Sequence, residues 1–159
     1  MSEGQSGTHT APGEGESVWL VGELITLKLT SEDTGGAYLM FEETSPPGGG
    51  PPPHVHRDED EMLYVLEGEI EFLLGEGNIP AGAGSCIHAP RGTLHTFKNV
   101  GTSPSRVFGV ITPGGFERFF LEAGEPATEG SAPEGEPDVG RIVEIGQKYG
   151  LEIPPPPGQ

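Results

Sequence analysis

Cysteine is nearly absent: Cys86 is the one thiol in 159 residues. That excludes an internal disulfide and any zinc site built from several thiolates. Basic residues are also scarce, with 8 Lys and Arg against 25 Asp and Glu and a net charge of −17. A chain so acidic has no electrostatic footprint for nucleic acid or anionic lipid, so neither is expected as a partner. No apolar run approaches a membrane span, and the polar stretch Met1–Gly7 lacks the apolar core of a secretion signal. The expectation is a soluble, cytoplasmic protein that acts on a small molecule.

Apolar residues are few as well, at 33 %, while 27 glycines and 17 prolines are present. Such an average suggests disorder. The distribution argues otherwise. Residues 1–16, 45–53, 122–140 and 150–159 hold 26 of these 44 residues, which leaves a turn-rich segment able to fold. We expect a disordered tail over 1–16, a β-barrel over 17–121, and over 122–159 a Pro/Gly linker, a C-terminal helix and a Pro-rich tail.

Within 17–121 the apolar pattern alternates. Ile25, Leu27 and Leu29 are interleaved with Thr26 and Lys28, the signature of a half-buried strand. Further short runs are 37–43, 61–66, 69–74, 85–89, 94–100 and 106–112, separated by Gly/Pro turns with no helix between them. This predicts an all-β antiparallel sandwich or barrel. Beyond Gly115 the period lengthens: Phe116, Phe119, Phe120 and Ala123 share one face of a short helix. A second helix is expected from Asp138, a suitable N-cap, to about Tyr149, ended by Gly150. Both are expected to pack outside the barrel over its edges or ends.

Of the five histidines, His54 and His56 lie at i, i+2. On an extended segment they point to one face with Cα atoms roughly 6.6 Å apart, so both imidazoles can converge on one ion. Glu61 opens the next strand run, and His95 follows a Pro90-Arg91-Gly92 turn. Three imidazoles and a carboxylate suit a divalent transition metal (Mn, Fe, Co, Ni, Cu or Zn) and leave coordination positions for water, O2 or a chelating substrate.

The wider spacing resembles the two motifs of the cupin superfamily. Gly48, His54, His56, Glu61 and Gly68 match Gly-x5-His-x-His-x3–4-Glu-x6-Gly, and Gly84, Pro90, Gly92, His95 and Asn99 match Gly-x5-Pro-x-Gly-x2-His-x3-Asn. Asp60 is a competing ligand in the acidic run 57–61, otherwise a solvated turn. Six residues separate Glu61 from Gly68, whereas the same count from Asp60 ends on Glu67, so Glu61 is chosen. His9 is expected to have no role. His88 either lines the cavity or faces outward, and Cys86 is expected to be a small buried filler. Residues 75–78 read as a hairpin turn.

The segments 34–36, 41–42, 47–52, 60–68, 90–93, 112–117 and 148–150 are similar to small single-domain cupins related to bacterial quercetin dioxygenases. That resemblance implies a double-stranded β-helix, or jelly roll, with short C-terminal helices. It implies a metal held by His54, His56, Glu61 and His95, a homodimer, and a dioxygenase that cleaves a flavonol with loss of carbon monoxide. Glu61 would double as the base that takes the substrate hydroxyl proton. Leu63, Val65, Phe72 and Phe97 are expected to supply an apolar wall. Since cupins serve many chemistries, an isomerase or lyase on a small polar acid or sugar, or a non-catalytic binder, remain alternatives.

Overall fold

The computed structural model describes residues 6–128 and 130–158. Twelve strands and three helices follow in order. The chain enters through β1 (Glu16–Leu20) and β2 (Glu23–Leu29), then α1 (Ser31–Thr34) and β3 (Leu39–Ser45). The central run is β4 (Val55–His56), β5 (Asp60–Glu67), β6 (Glu69–Leu74), β7 (Gly77–Gly82), β8 (Cys86–Ala89), β9 (His95–Asn99) and β10 (Ser105–Thr112). The chain ends in α2 (Glu117–Ala123), β11 (Glu125–Pro126), α3 (Val139–Lys148) and β12 (Leu151–Glu152).

A seven-stranded antiparallel sheet has the order β11-β1-β2-β3-β10-β5-β8 and faces a three-stranded sheet β7-β6-β9 and a two-stranded sheet β12-β4. This is the antiparallel architecture expected from the strand pattern, in the jelly-roll form that the resemblance implies. Alternation decides what fills it: Ile25 and Leu27, Leu39 and Phe41, Leu63 and Val65, Ile70 and Phe72, and Val107 and Ile111 all turn inward and are buried. Gly109 occupies the inward position between the last two. A Cβ there would lie 2.4 Å from Phe41 Cζ and 3.0 Å from Leu63 Cδ2, so the missing side chain is what admits the Phe41 ring.

Three expectations change. A single helical turn, α1, does stand between strands; Asp33 caps it by accepting from the Thr30 backbone N–H at 2.9 Å. Residues 1–5 of the tail expected to be disordered lie outside the described residues. The rest follows a defined path, because Lys28 Nζ donates to the carbonyls of Ala11 and Glu14 at 2.8 Å each and the Thr10 hydroxyl donates to Lys28 O at 2.6 Å. Cys86 is exposed rather than buried. It pairs with Tyr64 on the outward face of β5–β8, where parity places it opposite to Leu63 and Val65.

Helix α2 buries Phe119, Phe120 and Ala123, and Phe116 before it is buried too, as their spacing implies. Glu117 ties the helix to α1: it accepts from Ser31 N at 2.8 Å, from the Ser31 hydroxyl, and from Gly115 N at 3.0 Å. In α3, Asp138 is the N-cap, accepting from Arg141 N at 3.0 Å, and Ile142 and Gly146 form the buried stripe while Val139 stays exposed. Gly150 follows at φ +76°, a left-handed turn out of the helix.

Candidate metal centre

The Pro/Gly loop 46–53 is laid along β9 by backbone pairing. Gly48 N donates to Asn99 O at 2.9 Å, and Asn99 N donates to Gly49 O at 2.8 Å. Gly50 then crosses so close to β9 that a Cβ would lie 2.0 Å from Phe97 O, and its φ of +150° favours glycine in any case. The pairing ends in reciprocal bonds between His54 and His95, with N–H to O distances of 3.1 and 3.0 Å. Motif residues far apart in sequence are thereby made neighbours. Asn99 secures the same region from below, donating through Nδ2 to Ser45 O at 3.1 Å and Ser103 O at 2.8 Å. The Pro90-Arg91-Gly92 turn holds β4, since Gly92 N donates to His56 O at 2.8 Å.

These contacts bring His54, His56, Glu61 and His95 together, each offering a ligand atom within 4.8 Å of the others. Asp60, the competing acid, faces outward; its carboxylate accepts from Arg91 N at 2.9 Å and Arg91 Nε at 3.2 Å. His88, opposite Met62, is exposed on the outer face. His9 is exposed and remote from the cluster.

The imidazole orientations fit a metal. His54 Nδ1 lies 2.8 Å from Pro52 O and His95 Nδ1 lies 2.9 Å from Thr93 O, so each Nδ1 carries a proton, and with a metal bound each Nε2 would present its lone pair to the centre. His56 Nδ1 faces Glu59 Oε2 at 3.6 Å, too long for a hydrogen bond, and both buried atoms lack any other partner among the described residues. Glu59, in the run read as a solvated turn, therefore stands behind His56 as a carboxylate stands behind a ligating imidazole. No periodicity marks it among four consecutive acids.

Glu61 lies between His56 Nε2 at 3.3 Å and His95 Nε2 at 3.2 Å. Burial alone would raise its carboxyl, but hydrogen bonds and charge from these two histidines hold it well below the usual range. Burial alone would likewise lower His56, yet Glu59 and Glu61 outweigh it and push the imidazole up to about 9. Burial takes His54 down to about 3, helped by the charges of His56 and His95. In the protein without metal, His56 thus favours its protonated form beside an ionised Glu61, and a divalent cation held by the four groups would displace that proton.

The cluster opens on a cavity in which the centre of a water molecule has about 60 Å³ to occupy. That is space for an ion and a few waters. Leu63 and Phe97 line it as expected, but Val65 and Phe72 do not; both are buried in the surrounding core. Phe116, Phe119 and Phe120 take their place, so α2 is a wall of the cavity and not simply a cover for a sheet edge. The Phe116 ring meets His56 edge-on at 4.5 Å between centroids. The i, i+3, i+4 stripe identified these rings as packed without saying on what.

Comparison with known proteins agrees with this architecture. The family model described as a cupin domain matches residues 41–111. Quercetin 2,3-dioxygenase of Bacillus subtilis (strain 168) is 28% identical over 114 residues, 72% of this chain. The matched part is 34% of that relative, so the chain corresponds to about a third of its length. Among solved structures, KdgF from Halomonas sp. superposes with a TM-score of 0.63 at 18% identity, covering 71% of this chain and 99% of that one. An RmlC-like cupin from Shewanella frigidimarina NCIMB 400 gives 0.59 at 14% identity, covering 72% and 98%. At such identities these two likenesses concern the fold alone.

Proposed function

This chain is a small protein of the cupin superfamily, and on that premise we propose that it is a metal-dependent dioxygenase for flavonol-like or other enolisable phenolic substrates. The observation that carries the reading is the polarity of the site: three histidines and one carboxylate converge at one end of a cavity whose other walls are largely aromatic and aliphatic. An apolar wall suits a flat phenolic better than a sugar, which needs many hydrogen-bond partners. The 28% identity to a quercetin dioxygenase points the same way over the part it covers.

In this reading His54, His56, Glu61 and His95 hold one divalent transition metal through three Nε2 atoms and a carboxylate oxygen. A bound ion supplies Lewis acidity toward a chelating enol and a site for O2 chemistry. Glu61, ionised in its buried setting, accepts the enol hydroxyl proton at a carboxylate oxygen. Phe116, Phe119 and Phe120 exclude water and orient the aromatic body. Because the cavity is small, a flavonol would enter only with an outward shift of α2. A homodimer and a cytoplasmic location belong to the same proposal.

Metal analysis of the purified protein, followed by an aerobic quercetin assay that detects carbon monoxide, tests it. The expected result is one transition metal per chain, lost in a His54→Ala/His95→Ala variant. Absence of metal would sink both enzymatic readings. The small cavity volume favours one alternative, an isomerase or lyase on a small polar acid, which oxygen-independent turnover would reveal. Inactivity in every metal form would leave a non-catalytic binder.

A further inference from the structure

Among the described residues four glutamates are buried: Glu23, Glu43, Glu61 and Glu117. Three have partners. Glu23 accepts from Ser45 and Gly50, Glu61 lies between two histidines, and Glu117 accepts from Ser31 and Gly115. Glu43 is different. It is 6% exposed, and no described residue hydrogen-bonds its carboxyl.

Strand parity turns Glu43 inward with Phe41 and Ser45, and its side chain borders the cavity. In the sheet it stands opposite Ile25 on β2 and Val107 on β10, both apolar. Glu61 is opposite Ile111 on β10, four residues further along that strand, so the two acids are offset from one another along the inner face. Its oxygens are not among the fully buried atoms without a partner, so what surface they keep is on the cavity side. A largely buried carboxyl with no hydrogen bond from a described residue is costly to hold, and an aliphatic side chain of similar size would pack there without that cost.

We propose that Glu43 is the substrate-recognising acid of this cavity, donating its O–H to an oxygen acceptor at the far end of a ligand whose near end chelates the metal. The proposal rests on the chelating-substrate reading above and narrows it. The ligand is apolar in its body, carries an oxygen pair for the metal at one end, and presents a carbonyl, ether or hydroxyl oxygen at the other. Burial raises the Glu43 carboxyl well above the ordinary range, and the charges of Glu23 and Glu61 raise it further. These effects favour the protonated form of the carboxyl, the form that donates.

The test compares two flat chelators on the metal-loaded full chain. Tropolone offers an oxygen pair with only C–H at its far edge; kojic acid offers an oxygen pair with a ring oxygen and a hydroxymethyl group beyond it. Glu43→Leu is expected to keep its metal, to bind tropolone as well as wild type, and to bind kojic acid about tenfold more weakly, the worth of one hydrogen bond. Glu43→Gln, which keeps a donor, should recover most of that loss. Equal affinities of the Leu variant and wild type for kojic acid would overturn the inference while leaving the chelation reading intact. Failure of wild type to bind either chelator would overturn both. Because Glu43→Gln is nearly isosteric, a Leu variant that fails to fold leaves the question to the Gln variant and the infrared spectrum. Wild type should then show a neutral carboxyl band that is absent in the Gln variant and shifts with kojic acid but not tropolone; a band absent from wild type, or unmoved by kojic acid, overturns the inference.

Discussion

Glu23 sits beneath the loop that carries His54 and His56, accepting the Gly50 N–H at 2.8 Å and the Ser45 hydroxyl. Burial pushes its carboxyl up to about 7 from 4.5, against the pull of those two hydrogen bonds. The native protein therefore retains this proton in a range where the unfolded chain has lost it. The resulting stabilisation is full below pH 4.5 and disappears as pH rises toward 7. Glu23→Gln keeps an acceptor for Gly50 and can donate to the Ser45 oxygen without ionising. Urea denaturation should find it more stable than wild type at pH 8 by about 1–3 kcal/mol, with no advantage at pH 4. A wild type more stable than the variant at pH 8 would contradict this account. His54, His56, Glu61 and His95 were readable from spacing because their chemistry is unusual and their intervals are set by short turns. Glu23, Glu43 and Glu59 were not, since an acid in a chain with 25 of them carries no signal until its surroundings are known.

Among the elements, α2 shows how a correct local assignment leaves function undecided. Its apolar stripe was visible as a period, and the helix forms where that period places it. The stripe faces the cavity because Glu117 anchors the first turn to Ser31 and because Phe41 and Phe120 pack at 5.3 Å between centroids. Phe116→Ala would remove the ring against His56 and two aromatic neighbours, Phe119 at 5.1 Å and Phe120 at 5.3 Å. The expected cost is about 3 kcal/mol in unfolding free energy, and under the proposed dioxygenase activity a lower KM for bulky phenolics as the cavity widens. An unchanged KM together with the stability loss would mean that α2 does not limit entry. Strand β7 was missed for the opposite reason. Its sequence, 77–82, contains two glycines and a proline and stays mostly exposed, so pairing with β6 makes it a strand without help from propensity.

At the scale of the whole molecule, the outer face of the large sheet exposes Met62, Tyr64 and Leu66 on β5, with Phe108 of β10 stacked on Tyr64 at 5.3 Å. Contiguous apolar surface of this kind is where a second chain would pack in the proposed homodimer. Tyr64→Glu should yield monomers in sedimentation experiments while leaving metal content unchanged, because the residue points away from the cavity. A variant that sediments like a dimeric wild type would place the interface elsewhere. Among the described residues no helix is long and apolar enough to cross a membrane.

Cysteine scarcity, acidic charge, the alternating strands and the four candidate ligands were determined by the sequence itself. Each is either compositional or spans a few residues, where strand parity and turn geometry act directly. The tertiary structure decided the rest. Lying on β8 with the parity opposite to the core, Cys86 is exposed; lying on β3 with the inward parity, Glu43 borders the cavity with no hydrogen bond from a described residue. Alternation tells which residues share a face, but which face is covered, and whether packing there leaves a gap, depends on strands that meet only after the barrel closes.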